Sequence, residues 1–179
     1  MPSNASGEQL VELYGPERIA RRLQEVADQL NARFANERVV AVCVLKGATI
    51  FFADLVRLLH IKDLQLDCIG LSSYGQSKES SGAVTTTRWL SADVTGAWIL
   101  VVEDIVDTGQ SMAKLMAKLA DLPVAGVCLC ALIDKRDRRQ CAVSIDYSCF
   151  QLQDGFIVGY GLDYAERYRQ LPGIYELLR

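Results

Sequence analysis

The chain contains 179 residues, half of them apolar and 23% charged, and its formal net charge is −3. This length is most simply one domain with one core, and the composition is ordinary for a globular protein. The acidic balance argues against nonspecific nucleic-acid binding, and the apolar runs are far shorter than the roughly 20 residues that span a bilayer.

The first ten residues, MPSNASGEQL, show neither the basic start nor the apolar core of a secretory signal, and we expect them to be disordered. Pro16 suits the first turn of a helix. The apolar residues that follow share one helical face: Ile19, Leu23, Val26 and Leu30. The β-branched run VVAVCVL (39–45) predicts a strand buried on both faces of a sheet. Lys46-Gly47 ends it, and ATIFFADLVRLLH predicts a second helix.

A second strand is predicted at about 65–72, and the β-rich segment VTTTRWL (84–90) is expected to run antiparallel to it. The segment between them, 73–84, is polar and rich in Ser and Gly, so it is the tip of a long hairpin. Long loops in compact domains are usually mobile or functional.

A strand at 97–103, a helix at about 109–120 and a strand at 125–133 form a β-α-β unit. Two short strands are predicted near 145–151 and 156–160, before a mostly polar end. The alternation of strands and helices predicts an α/β fold with a mostly parallel central sheet flanked by helices.

The segment WILVVEDIVDTGQSM (98–112) carries the clearest functional signal. Its apolar run ends in the adjacent carboxylates Glu103 and Asp104, and a small, hydroxyl-rich turn then leads into a helix. Free backbone N–H groups and the helix dipole make such a turn an anion site. The paired acids suit the hydroxyls of a sugar or Mg²⁺, so the whole segment indicates a sugar phosphate. The structural alternative is an ordinary turn in which Asp107 or Thr108 caps the helix.

Three segments with charged side chains follow predicted strands, namely Lys46, the 103–111 loop and Lys135. Because ligands bind beyond the carboxyl ends of parallel strands, we expect these segments to converge. The chain has no G-x-x-x-x-G-K-[ST], which excludes a Walker-type phosphate loop. No predicted strand is followed by G-x-G-x-x-G, which argues against a Rossmann-like binding module. The six cysteines form no C-x-x-C pair and His60 is the only histidine, so we expect reduced, buried thiols rather than a zinc site.

The sequence VVEDIVDTGQSM resembles the phosphoribosyl-pyrophosphate (PRPP) motif of type I phosphoribosyltransferases. Four further segments resemble the hypoxanthine-guanine phosphoribosyltransferases: VLKGA (44–48), SSYG (72–75), LIDKR (132–136) and FIVGYGLDYAERYR (156–169). The similarity extends over most of the chain. The segment DYSCFQLQDGF (146–156) departs from the family pattern at Ser148, Cys149 and Gln151.

The resemblance implies a role for each matching residue on the donor side. Glu103 and Asp104 would hold the ribose hydroxyls and their Mg²⁺. The 5′-phosphate would be bound by Asp107, Thr108, Gly109, Gln110 and Ser111. Pyrophosphate would be contacted by Lys46 and Gly47, where the family often has a non-proline cis peptide, by Ser73 and Tyr74 on a closing lid, and by Arg169.

The resemblance also implies a purine site. Lys135 would contact the 6-oxo group, Phe156 would stack on the ring and the Ile157 backbone would read the base edge. Asp163 would bind a second Mg²⁺, and Asp107 would accept the proton that the purine loses. The structural alternatives are that Phe156 belongs to the core and that Asp163 caps a short helical turn, YAERYR.

For the whole chain, the resemblance implies a single domain over 1–179 with a mobile lid at 73–84. A small hood would be formed mainly by 145–179 and the N-terminal segment. The resemblance further implies a Mg²⁺-dependent purine-salvage enzyme that transfers the 5-phosphoribosyl group from PRPP to hypoxanthine or guanine, giving IMP or GMP and pyrophosphate. We expect it to act in the cytoplasm as a homodimer or homotetramer and to bind neither nucleic acid nor membrane. One alternative is a phosphoribosyltransferase that prefers xanthine as its base. The other is a PRPP-sensing regulator of the same fold that binds RNA.

Overall fold

The computed structural model describes residues 8–73 and 84–178. The helices of these ranges are α1 (Pro16–Phe34), α2 (Thr49–Val56) and α3 (Gln110–Ala120). The strands are β1 (Gln9–Tyr14), β2 (Arg38–Leu45), β3 (Asp63–Ser73), β4 (Val84–Arg88), β5 (Trp98–Val106), β6 (Gly126–Lys135), β7 (Tyr147–Leu152), β8 (Ile157–Val158) and β9 (Ile174–Leu178). Among the helices of the described ranges, none has both the length and the apolar character needed to cross a membrane.

A six-stranded sheet in the order β4-β3-β2-β5-β6-β7 forms the centre of the fold. All neighbouring strands are parallel except β4, which runs antiparallel to β3 at the edge. The mostly parallel sheet is therefore confirmed, as is the antiparallel pairing of the strand predicted at about 65–72 with the segment 84–90, although β4 ends at Arg88. The chain leaves β2 towards β3 on one side and leaves β5 towards β6 on the other. The carboxyl ends of β2 and β5 thus flank the switch point, the crevice at which open α/β sheets bind their ligands.

The two central strands are buried on both faces. Side chains that share a core with α1 and α2 include Val39, Ala41, Leu100 and Val102, whereas those that pack with α3 include Val40, Val42, Ile99 and Val101. This alternation confirms the two-sided burial that the continuous apolar runs predict. Because apolar contacts hold β2 and β5 on both faces, the residues at their carboxyl ends start from a rigid base.

A second sheet, in the order β1-β9-β8, joins the two chain ends. It corrects two expectations. Residues 9 and 10 are not disordered, since they pair with Leu178 and Leu177 of β9. The chain end is not simply polar, since Ile174–Leu178 is a strand whose Leu177 packs with Val158 of β8. Strands this short carry too few periods to be recognised in the sequence.

The sequence predicts that the second helix extends to His60, but α2 ends at Val56. The Asn31 side chain of α1 donates to the Leu58 carbonyl at 3.0 Å and accepts from the His60 N–H at 2.7 Å. These two hydrogen bonds hold residues 58–60 outside the helix, and this contact between distant segments has no local signal. His60 itself is exposed.

Candidate active site

The loops after β2 and β5 lie in direct contact at the switch point. A Cβ atom on Gly47 would overlap the carboxylate of Asp104, so this close approach requires a residue without a side chain. The Leu45–Lys46 peptide bond is cis, as the resemblance implies. The loop that carries Lys46 is therefore held against the acids at the end of β5.

The turn between β5 and α3 has the form of an anion site. Gly109 adopts a φ of 81° immediately before the first residue of α3, and its carbonyl accepts the Ala113 N–H at 2.8 Å. A cavity of about 150 Å³ lies against this turn and is lined by Asp107, Thr108, Gly109 and Ser111 among others. The helix N-terminus and its backbone N–H groups favour an anion there.

The capping alternative does not describe this turn well. The N-cap residue is Gly109, which has no side chain, and the Thr108 hydroxyl lies 3.5 Å from the Gln110 N–H, at the limit of a hydrogen bond. The Asp107 carboxylate instead pairs with Arg138 at 3.2 Å through one oxygen. Gln110 turns its side-chain amide outwards to Gln140 at 2.6 Å.

Arg139 fixes this turn, and the sequence did not identify it. The charged run KRDRR (135–139) is typical of a solvated turn, yet the Arg139 side chain is only 19% exposed. Its guanidinium donates to the carbonyls of Val106 and Asp107 at 3.1 and 3.0 Å and pairs with Asp134 at 2.7 Å. The detectable signal is the buried Asp134 at the end of an apolar strand, since a buried carboxylate needs a nearby cation.

The two adjacent acids, Glu103 and Asp104, are only partly exposed to solvent. Burial raises the pKa of the Glu103 carboxyl well above its usual range, and the neighbouring charge of Asp104 raises it further. Burial also raises the pKa of Asp104, to about 6, although the Ile105 N–H and the charge of Arg169 favour its ionised form. Both carboxylates would be stabilised by a cation or by hydroxyl donors.

Charged side chains from the segment after β8 face these acids across the crevice. Arg169 pairs with Asp163 at 2.7 Å and donates to the Gly161 carbonyl at 2.7 Å. A cavity of about 210 Å³ brings together residues from four separate segments, among them Gly47, Glu103, Asp104, Ser111, Asp163 and Arg169. The loops after β2 and β5, which were expected to converge, thus meet here with residues from the chain's last third, whereas Lys135 does not line this cavity.

The segment YAERYR (164–169) is not the helical turn that we expected. Ala165, Glu166 and Tyr168 have φ values of 49°, 63° and 76°, which belong to the left-handed region. Asp163 nevertheless accepts the Glu166 N–H at 2.9 Å, so it caps a turn of a different kind. Gly161, at a φ of 103°, packs against the Gly47 carbonyl, and this contact fixes the segment to the β2 loop.

The predicted purine-side residues lie at the end of β6 and beside β8. Lys135 is the last residue of β6 rather than following it, is 5% exposed, and donates to the Gly155 carbonyl at 2.8 Å. Phe156 is 45% exposed, so it is not a core residue. Its ring is nearly perpendicular to the ring of Tyr164, and the two ring centroids are 5.5 Å apart. Ile157 is buried at the start of β8. An exposed aromatic ring next to a buried lysine suits a flat, polar ligand.

The predicted lid falls mainly on residues that the structure does not describe. Ser73 ends β3 and its backbone pairs with Val84 of β4. Tyr74 lies outside the described residues, as does the rest of the segment up to residue 83.

Three buried side-chain atoms in the described ranges have no hydrogen-bond partner: Glu103 Oε2, Asp107 Oδ1 and Arg169 Nε. All three belong to this site, and buried polar atoms are normally paired, so each indicates a position where a ligand completes the bonding. No group of three or more His, Cys, Asp or Glu side chains converges as a metal site among residues 8–73 and 84–178. The six cysteines form no disulfide; Cys43, Cys128, Cys130 and Cys149 are buried as expected, whereas Cys68 and Cys141 are only partly buried.

Comparisons with known proteins agree with this geometry. A family model described as the phosphoribosyl transferase domain matches residues 11–165. The chain is 38% identical over 163 residues to a hypoxanthine-guanine phosphoribosyltransferase of Bacillus subtilis (strain 168), covering 90% of this chain and 89% of that protein. A protein of the same name from Aquifex aeolicus is 36% identical over 170 residues, covering 94% and 95%. A crystal structure of a Staphylococcus aureus hypoxanthine phosphoribosyltransferase has a TM-score of 0.89 and 32% identity, and covers 94% of this chain and 91% of that one.

Replacing Arg139 with Met should lower the free energy of unfolding by about 2–3 kcal/mol, because one oxygen of buried Asp134 and two loop carbonyls lose their donor. The other oxygen of Asp134 keeps Arg136 at 2.9 Å. Urea denaturation measures this change. The matched control is Arg138→Met, since Arg138 is 60% exposed and its removal should cost about 0.5 kcal/mol or less. Equal losses in the two variants would contradict the anchoring role of Arg139.

Proposed function

This chain belongs to the phosphoribosyl transferase family, and we propose that it serves purine salvage by transferring the 5-phosphoribosyl group of PRPP to hypoxanthine or guanine, with release of pyrophosphate. The observation that carries the proposal is the convergence of the β5–α3 turn, Glu103, Asp104, Asp163 and Arg169 in one crevice. The similar proteins named above are hypoxanthine or hypoxanthine-guanine phosphoribosyltransferases.

The donor would be anchored by its 5′-phosphate. The turn from Asp107 to Ser111 offers a cavity of about 150 Å³, the N-terminus of α3 and the hydroxyls of Thr108 and Ser111. Arg139 holds this turn from behind through the carbonyls of Val106 and Asp107. A turn fixed in this way binds the phosphate without having to reorganise, which places the ribose against Glu103 and Asp104.

Mg²⁺ fits the acids at this site. Glu103 Oε2 is buried without a partner, and the neighbouring donors of Asp104 and Asp163 are also carboxylate oxygens, which Mg²⁺ prefers. Mg²⁺ commonly takes one or two carboxylates and completes its shell with waters and substrate phosphates, so a site of dispersed acids suits it. When bound, Mg²⁺ supplies positive charge to the departing diphosphate.

The leaving group would meet a second set of cations. Arg169 and Lys46 both line an open cavity of about 630 Å³, which shares Asp163 and Arg169 with the cavity beside the acids. Gly47 has no side chain, so its backbone would approach the pyrophosphate closely. Negative charge builds on pyrophosphate as the bond to the anomeric carbon breaks, so fixed cations there stabilise the transition state more than the bound substrate. Ser73 and Tyr74 are proposed to close over this cavity and exclude water.

The base would lie between Phe156 and the sugar. Lys135 would donate to the 6-oxo group after leaving the Gly155 carbonyl, and the backbone of Ile157 would read the edge of the ring. Phe156, which is 45% exposed, would stack on the purine ring. Groups near the purine 2-position decide between hypoxanthine, guanine and xanthine, and a preference for xanthine is the main alternative within the same reaction.

Asp107 would act as the general base. Its Oδ1 is buried without a partner, while its other oxygen pairs with Arg138. The nucleophilic ring nitrogen of the purine attacks the anomeric carbon, and the proton that the purine ring loses passes to Asp107 Oδ1. The acceptor atom thus lies on the same turn that holds the phosphate.

A PRPP-sensing regulator that binds RNA would need a basic face, and the basic run that the sequence offers is KRDRR (135–139). Lys135 and Arg139 both turn inwards, to Gly155 and Asp134, so this run offers less basic surface than the sequence suggests. We propose that the enzyme acts in the cytoplasm as a single-domain protein in a homodimer or homotetramer, with β1, β8 and β9 in its hood. These proposals rest on the family resemblance.

Turnover with PRPP and Mg²⁺ should be seen with hypoxanthine or guanine and be slower with xanthine. The measurement is nucleotide formation with each oxopurine, compared at equal enzyme concentration. Faster turnover with xanthine would support the alternative preference. Absence of turnover with all three bases would sink the proposed function.

Replacing Asp107 with Asn should lower kcat by about 100-fold or more, because an amide does not accept the proton. The PRPP dissociation constant should stay within about threefold, since the backbone N–H groups of the turn remain. Steady-state kinetics and calorimetric titration with PRPP measure the two effects. Asp137→Asn is the control, because Asp137 is exposed in a neighbouring turn and should leave both quantities unchanged. Weak PRPP binding combined with a normal kcat would contradict the general-base role.

A further inference from the structure

Glu166 contacts both cations that face the proposed pyrophosphate position. Its Oε2 lies 2.8 Å from Lys46 Nζ and 3.4 Å from an Arg169 guanidinium nitrogen. These three side chains line the same open cavity of about 630 Å³, together with Asp163. One carboxylate oxygen therefore lies between a lysine and an arginine, at the place where a diphosphate oxygen would be expected.

The backbone holds Glu166 in this position. Residues 165 and 166 both have left-handed φ values, 49° and 63°, and the Glu166 N–H donates to Asp163 at 2.9 Å. Non-glycine residues rarely adopt this conformation, and where they do the surrounding structure must hold them there. The Tyr164–Arg167 bridge closes the same turn. The turn thus directs a carboxylate back towards Lys46, which is 120 residues away in the chain.

We propose that Glu166 is an internal competitor of pyrophosphate: its carboxylate neutralises Lys46 and Arg169 in the free enzyme and must be displaced when the diphosphate binds. This inference rests on the proposed function, because it assigns these cations to pyrophosphate. It extends that function by naming a residue that weakens the binding of one ligand group. A weakened hold on pyrophosphate favours release of the product.

The exposure of the pair supports a role in binding rather than in stability. The side chains of Lys46 and Glu166 are 67% and 65% exposed, and ion pairs that exposed contribute little to folding. Arg169, by contrast, is 24% exposed and keeps Asp163 as a second partner at 2.7 Å. Loss of Glu166 therefore leaves Arg169 held in place and leaves Lys46 free for the ligand.

The test is Glu166→Gln, which keeps the shape of the side chain and removes its charge. Pyrophosphate should bind about two- to fivefold more tightly to this variant in the presence of Mg²⁺, measured by calorimetry. The KM for PRPP should fall by a similar factor, and kcat should not rise. The matched control is Glu25→Gln, since Glu25 also forms an exposed ion pair, with Arg22 at 2.6 Å, but lies on α1 outside the site. Binding to this control should equal binding to the unmodified enzyme.

A double-variant cycle separates competition from a general loss of negative charge. In a Lys46→Met background, Glu166→Gln should improve pyrophosphate binding less than in the unmodified enzyme, because the main contact of Glu166 is already absent. Unchanged or weaker binding by Glu166→Gln would overturn the inference while leaving the proposed function intact. If the unmodified enzyme itself fails to bind pyrophosphate with Mg²⁺, both the inference and the pyrophosphate site fall.

Discussion

The close approach of Gly47 to the Asp104 carboxylate is the contact on which the site depends. It brings the loop after β2 against the end of β5, at the one place in the central sheet where the chain turns away in opposite directions. Gly161 then packs against the Gly47 carbonyl, so the segment that carries Asp163 and Arg169 is placed by the same contact. Side chains at either glycine would separate the acids from the cations.

The free-energy cost of this arrangement is concentrated in the charged groups. Burial disfavours ionised Glu103 and Asp104, and three polar atoms of the site lack partners in the described ranges. PRPP with its bound metal would supply partners to both kinds of charged group: its diol and the metal to the carboxylates, and its phosphate and diphosphate to the cations and N–H groups. The two-sided packing of β2 and β5 offsets that cost, because it holds the strand ends where the unfavourable burial occurs. The packing of the sheet thus compensates for buried charged groups that lack partners until a ligand binds.

An element could be predicted from the sequence when the interactions that form it are local, and was missed when they join distant segments. Long apolar strands and the β5–α3 turn could be recognised because their signals are local: β-branched runs, paired acids and a glycine before a helix. β1 and β9 could not, since short strands are defined by their pairing with each other. Arg139 and Glu166 were missed for a similar reason, as Arg139 contacts the carbonyls of Val106 and Asp107 more than 30 residues away, and Glu166 contacts a lysine 120 residues away. Knowledge of the family assigned roles to residues such as Lys135 that their local sequence would not.

The crevice at the ends of β2 and β5 is proposed to bind PRPP through its phosphate and its diphosphate together. Calorimetric titration of the unmodified enzyme with PRPP and with ribose 5-phosphate, each with and without Mg²⁺, measures this. PRPP should bind much more tightly than ribose 5-phosphate, and Mg²⁺ should strengthen only PRPP binding substantially. Equal affinity for the two ligands, or PRPP binding that does not respond to Mg²⁺, would contradict it.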